Sequence, residues 1–236
     1  AGPARGAYLY VDIARANDAA WVGGSYDSFI YRALATAGVD LLGATAWDVG
    51  AHIGYHTLAF ASLVGPMGHV IAFEPDPDNI ARLRRHLAKN PVLADRVQLR
   101  TEALSSCDGQ QVFRHSPKFP SRGYLDITGP PSDRFPEKEY ADYETMTVEV
   151  ARADSMVKTG VPVPNLIKLD VEGAEVEVLQ GAQELLAKYM PVLAVEVHSI
   201  TCMFHVQNIL IEYGYGVRLL DSGCASSSRA FVLATP

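Results

Sequence analysis

Apolar and polar positions along the chain switch between two rhythms, and the switching predicts helices alternating with strands. In residues 25–38, Phe29, Ile30, Leu34 and Ala37 fall at helical spacing before a glycine suited to a C-cap, which predicts a helix leading into the core. Residues 44–49 read as a buried strand, 54–64 as a helix stopped by Gly65-Pro66, and 69–73 as a second strand. A helix is predicted over 76–90, because its opening Asp-Pro-Asp suits a helix N-terminus. A third strand follows at 97–101, and the alternating segments 110–115 and 145–150 read as added strands. Further on come a strand at 165–171 and one helix over 174–189, with Val176, Leu179, Ala182, Leu185 and Leu186 on its apolar face. A buried strand at 191–197, a helix at 203–213 and a closing hairpin of 216–220 with 230–234 complete the series.

This order predicts an α/β fold of the Rossmann-like kind. Its central sheet is mostly parallel, helices cover both faces, and ligands bind at the carboxyl ends of the strands. Residues 1–40 are expected to form a helical lead-in and 41–236 one domain. The least regular stretch, 116–143, is rich in Pro, Gly and charge and interleaves Phe119, Tyr124, Phe135, Tyr140 and Tyr143. Long loops of that kind often serve as lids, and a substrate-covering role is expected here.

Composition narrows the function. With 236 residues, 48% of them hydrophobic and 20% charged, the chain fits one globular core with embellishments. No apolar run is long enough to cross a bilayer, so no membrane partner is expected. A formal net charge of −7 disfavours a nucleic-acid partner, which needs clustered Lys and Arg. The one dense basic stretch, 82–89, has the spacing of a solvated helix face. Cys107, Cys202 and Cys224 fit neither a disulfide framework nor a CxxC-type zinc site, and a reducing cytoplasm is the expected location.

The chemistry concentrates at strand ends. At the first strand-to-helix turn, WDVGAHIGYHT, Gly50 can make the tight turn, Gly54 lets the helix approach the sheet, and Asp48 offers a carboxylate. A dinucleotide fingerprint would also need glycines at positions 52 and 55, where His52 and Tyr55 stand. The turn is therefore shaped for a nucleoside ligand without phosphates, such as S-adenosylmethionine. The next strand ends in Phe73-Glu74-Pro75, which places a carboxylate to accept hydrogen bonds from ribose hydroxyls. Glu102 and Ala103 close the third strand, where an adenine edge fits. The expected cofactor-binding set thus includes Ala51, Tyr55 and Pro75 beside Asp48, Gly50, Gly54, Glu74, Glu102, Ala103 and Asp170.

Downstream, Asp170 and Glu172 end the strand of IKLDVEGAE, whereas Glu175 reads as an acidic residue favoured by the macrodipole of its helix. In VEVH, strand alternation puts Glu196 and His198 on one face. Beside Asp170 and Glu172, His198 is a candidate general base titrating near neutrality. Asp170, Glu196 and His198 could equally hold a divalent cation, and that alternative stays open. His52 and His56 read as turn and helix-surface residues.

Taken in order, DVGAHIGYHT, FEPDP, EALSSCDG, IKLDVEGAEVEVLQGA and VEVHS resemble the successive motifs of the FkbM-type methyltransferase family over about residues 42–220. The resemblance implies a class I S-adenosylmethionine-dependent fold and O-methylation of a hydroxyl on a polyketide, a sugar or another secondary metabolite. It carries over Asp48, Gly50, Gly54, Glu74 and Glu102 as cofactor residues and Asp170 as an active-site residue. His52 stands where the family often has Asn, His56 where an aromatic is common, and the 116–143 insert finds no counterpart. N-methylation of a small amine and a non-catalytic nucleoside-binding module are the competing readings. Replacing His198 separates the first of them, because a neutral amine is nucleophilic without a base.

Overall fold

A computed structural model describes residues 2–11, 21, 24–116, 120–127, 142–221 and 229–236. Helix α1 (Ser28–Thr36) leads into strand β1 (Thr45–Val49), helix α2 (Tyr55–Leu63) and strand β2 (His69–Phe73). Helix α3 (Pro77–Lys89) is opened by Asp76, whose side chain accepts from the amides of Asp78 and Asn79. A short helix α4 (Pro91–Ala94) and strand β3 (Val97–Arg100) follow. Four strands then make a side sheet or flank it: β4 (Ala103–Leu104), β5 (Gly109–His115), β6 (Tyr124–Leu125) and β7 (Glu144–Ala151). The chain returns through α5 (Ala153–Lys158), β8 (Leu166–Leu169), α6 (Glu175–Gln180), α7 (Gln183–Tyr189), β9 (Val192–Val197) and α8 (Ile200–Glu212) to β10 (Gly216–Leu220) and β11 (Ala230–Thr235).

The main sheet has seven strands in the order β10-β11-β9-β8-β1-β2-β3. From β9 to β3 all neighbours are parallel, and β11 runs antiparallel between β9 and β10. The expected closing hairpin is therefore present, with its second strand inserted next to β9. Alternation along the strands splits the core. Trp47, Val49, Ile167, Leu169, Val195 and Val197 face α5 to α8, and Ala46, Val70, Leu166 and Ala194 face α1 and α2. Such strands are buried on both sides, which is why they read as continuous apolar runs. The two alternating segments pair as β5 and β7 in the four-stranded side sheet, order β4-β7-β5-β6.

One predicted element needs correction. The helix expected over 174–189 is two helices, α6 and α7, broken at Gly181-Ala182. A Cβ at Gly181 would collide with the backbone carbonyl of Ser105, so the chain passes close to the side sheet there. Beyond the break, Asp154 of α5 accepts from the amides of Glu184 (3.2 Å) and Leu185 (2.9 Å), capping α7 from outside its own segment. Helical periodicity continues across the break, so the pattern alone could not reveal it.

Within the expected loop, residues 120–127 are described, and β6 pairs with β5 there. Phe119, Phe135 and Tyr140, with most of the proposed lid, lie outside the described residues, as does Cys224. Among the described residues, no helix is long and apolar enough to cross a membrane.

Candidate active site

The carboxyl ends of β2, β1, β8 and β9 meet at one edge of the sheet. After β1, the amides of Gly50 and Ala51 both donate to the Phe73 carbonyl at the end of β2 (3.0 and 2.9 Å), which hangs the glycine turn on its neighbour. Gly50 adopts φ +79°, and a Cβ there would overlap the backbone carbonyl of Asp170. The Gly54 amide donates to Ala51 (2.8 Å), and a Cβ on Gly54 would strike Leu83 of α3. With the amides of residues 50, 51, 52 and 54 engaged within the protein, the turn is not a phosphate-binding nest.

Glu74 leaves the end of β2 with 4% of its surface exposed. Its Oε2 accepts from the His52 amide (2.7 Å); its Oε1 accepts from the Asp76 amide (3.0 Å) and the Asn79 side chain (3.3 Å). Burial is the largest influence on this carboxyl and, against those hydrogen bonds, raises it to about 7. Pro75 is half-buried beside it, and Ala51 is buried. Glu102, just past β3, is held by Arg100, and Ala103 begins β4. The N-terminal segment roofs this turn: Trp21 meets Tyr26 (5.7 Å between ring centroids) and His52 (6.1 Å), and Tyr26 meets Tyr55 edge-on (5.4 Å). The Tyr55 hydroxyl is buried and has no hydrogen-bond partner among the described residues.

Asp48 has no exposed surface and accepts from Thr57 (2.6 Å). Across the β1-β8 register it faces Lys168, whose Nζ stands 3.7 Å from Asp48 and 3.2 Å from Asp170. Burial opposes the ammonium charge, yet Asp170 and Asp48 outweigh it and hold the group well above its ordinary range. Sequence reasoning assigned Lys168 no role, although a lysine inside the apolar run LIKL is itself a signal that a buried charge awaits a partner.

His198 lies beside Asp170 and has no exposed surface. Its Nδ1 is 2.7 Å from Glu175 Oε1. Among the described residues its Nε2 makes no hydrogen bond, but it faces Glu196 at 3.4 Å and Asp170 and Glu172 at 3.5 Å each. Burial lowers the imidazolium's affinity for its proton, but Glu172 and Glu175 outweigh burial and hold the pKa well above its usual value. The ring of carboxylates thus moves the imidazole's titration up from the near-neutral range expected of a lone histidine. Asp170 is likewise held far below the usual carboxylate range, because Lys168 and His198 overcome its burial.

Two further assignments change. Glu175, read as favoured by the macrodipole of its helix, does more than that; it is fully buried and accepts from His198, the Cys202 thiol (3.0 Å) and the Gly173 amide (3.0 Å). His56 lies inside rather than on a helix surface, between the Tyr31 hydroxyl (2.6 Å) and Asp27 (3.2 Å). Sequence spacing hid both, because their partners come from other elements. Arg229, which precedes β11, also escaped notice; it reaches Glu196 at 2.6 Å.

With this arrangement in view, comparison with known proteins is direct: residues 48–217 match the methyltransferase FkbM domain. The chain belongs to the FkbM methyltransferase family. The FkbM domain described here is 34% identical over 154 residues to the hexuronic acid methyltransferase AglP of Haloferax volcanii, covering 65% of this chain and 55% of that protein. It is 30% identical over 148 residues to the 2-O-methyltransferase NoeI of Sinorhizobium fredii, covering 60% of this chain and 58% of the relative. The chain thus spans somewhat over half the length of these curated relatives. Among solved structures it resembles a methyltransferase FkbM from Methylobacillus flagellatus KT (TM-score 0.58, 18% identity, 82% of this chain and 43% of that one). It also resembles Aeropyrum pernix fibrillarin, solved with natively bound S-adenosyl-L-methionine (TM-score 0.52, 11% identity, 83% and 68% covered). At such identities the likeness concerns the fold, that of class I S-adenosylmethionine-dependent methyltransferases.

Proposed function

We propose that this FkbM domain transfers a methyl group from S-adenosylmethionine to a hydroxyl oxygen of a small or medium-sized metabolite, of the sugar or polyketide kind. The observation that carries the reading is the meeting of Glu74, the Gly50 turn and the Asp170–His198 cluster at the ends of adjacent parallel strands. Relatives named for a hexuronic acid and for 2-O-methylation support a sugar hydroxyl as the acceptor class.

The residues present fit the methyl donor. Among the described residues, Glu74 Oε2 receives one donor and keeps acceptor capacity for a ribose hydroxyl, and the buried Tyr55 hydroxyl has no partner. A turn whose amides are engaged internally suits a ligand without phosphates. Gly50, Ala51 and Gly54 would shape the cradle, Pro75 and Ala103 its apolar wall, and Glu102 the far rim. Asp48, having no surface, acts through Lys168 and the turn.

When bound, S-adenosylmethionine supplies a methyl carbon already activated by its sulfonium. The protein's task is then to hold the acceptor oxygen in line with that carbon and to receive its proton. Glu172, a partly exposed carboxylate of the cluster, would take the hydroxyl hydrogen, while Asp170, His198 and Glu175 hold the cluster in place. Methyl transfer would form the oxygen–carbon bond as the carbon–sulfur bond breaks, leave the electron pair on sulfur, and pass the acceptor's proton through Glu172 to solvent.

Calorimetric titration with S-adenosylhomocysteine, followed by a screen with labelled methyl donor against hydroxylated sugars and small amines, tests the reading. Label in an alcohol product is the expected result. Label only in amines, or no affinity for the demethylated donor, refutes it.

A further inference from the structure

We infer that Asp170, Glu196 and His198 form a binding site for one divalent cation of the Mn2+ kind. These three residues can each offer one ligand atom, and the atoms all lie within 4.8 Å of one another. Among the described residues His198 Nε2 has no hydrogen-bond partner, the ring has no exposed surface, and the nitrogen points at oxygens of Asp170 (3.5 Å) and Glu196 (3.4 Å). Two donors sharing a cation at about 2.1–2.2 Å stand roughly 3.0–3.6 Å apart when they occupy neighbouring coordination positions. The observed separations have that span.

The surroundings supply what such a site needs. Glu175 bonds to His198 Nδ1 and fixes the ring so that Nε2 faces the carboxylates, the usual arrangement of a carboxylate behind a metal-binding histidine. Lys168 takes the other oxygen of Asp170, and Arg229 reaches Glu196, so both carboxylates are held in orientation. Among the described residues, Asp48, Asp170, Glu172, Glu175 and Glu196 crowd around Lys168, Arg229 and His198, and a buried excess of negative charge is costly unless a cation joins it. Two carboxylates with one imidazole form a mixed hard and borderline donor set, which suits Mn2+ better than a thiol-seeking ion. A second trio, Asp76, Asp78 and His115, also lies within ligand distance, but Asp76 is there engaged in capping α3.

The cation's existence is independent of the methyl-transfer reading, but its role rests on it. With the acceptor hydroxyl as a further ligand, the cation would draw electron density from the oxygen and ease loss of the proton to Glu172.

The test is a titration of chelator-treated protein with Mn2+ alone, read by electron paramagnetic resonance. One bound ion per chain is expected, with a nitrogen coupling from a single imidazole. Glu196→Gln and His198→Gln should each weaken binding at least tenfold, with circular dichroism showing that the fold survives; Asp170→Asn replaces either variant that unfolds. No bound Mn2+ in the wild type, no nitrogen coupling, or loss of binding in His115→Gln instead overturns the proposal. A parallel titration of the chelated wild type with S-adenosylhomocysteine keeps the two readings apart. Affinity there without Mn2+ binding removes the cation and leaves the methyl-donor reading standing.

Discussion

The backbone carbonyl of Asp170 occupies the place where a Cβ on Gly50 would stand, so the end of β8 rests directly on the turn that follows β1. One contact thereby joins the shape of the glycine turn to the placement of the acidic cluster. It also makes Gly50 irreplaceable for two reasons, the left-handed φ of +79° and the lack of room.

Gly50→Ala should lower the free energy of unfolding by roughly 3 kcal/mol or more, since backbone would have to move away from backbone. The midpoint of urea unfolding checks this, and a shift of a few tenths of a molar would be too small for the collision described.

On the proposed reading, Glu74 should make donor binding depend on pH. Its carboxyl is raised by burial to about 7 in the free protein, whereas ribose hydroxyls donate best to the ionised form. Affinity for S-adenosylhomocysteine should therefore tighten as pH rises from 6 to 8. Glu74→Gln should flatten that dependence and weaken binding about tenfold or more, a loss of about 1.4 kcal/mol or greater. Stability runs the other way. The folded state keeps a proton that the unfolded chain releases near its ordinary carboxyl pKa, so Glu74's contribution is fully present below that value and is lost as pH climbs towards about 7. Thermal unfolding of wild type and Glu74→Gln across that window should show the variant losing less.

Lys168→Met removes the ammonium standing between Asp48 and Asp170 and leaves both carboxylates without it. A loss of about 3–5 kcal/mol is expected, as for other buried pairs broken on one side. Denaturant unfolding checks the figure, and a near-neutral result would mean that Asp48 is not held by this lysine.

Asp154→Ala provides a contrast far from the strand ends. It strips the cap from the amides of Glu184 and Leu185 and should cost about 1–2 kcal/mol. Methyl transfer by the folded fraction should keep its KM, measured at a temperature where the variant remains native.

Sequence alone determined most of the architecture. Parallel strands buried on both faces have no choice but to be apolar throughout, and helices that cover them show one apolar stripe, so β1, β2, β8, β9 and the helices between them were readable from composition and period. Glu74, Asp170 and His198 also stood out in the sequence as candidates, because a polar residue at the end of an apolar run has no packing reason to be there.

Tertiary structure decided the rest. The break between α6 and α7, the burial of Glu175 and His56, and the pairing of Lys168 with Asp48 all depend on residues brought from distant segments, and helical or strand periodicity carries no trace of them. The raised pKa of His198 belongs to the same class. A lone imidazole titrates near neutrality, and only the folding of Glu172, Glu175 and Glu196 around the ring pushes that value up. Charge states follow from distances, and distances between segments exist only once the chain has folded.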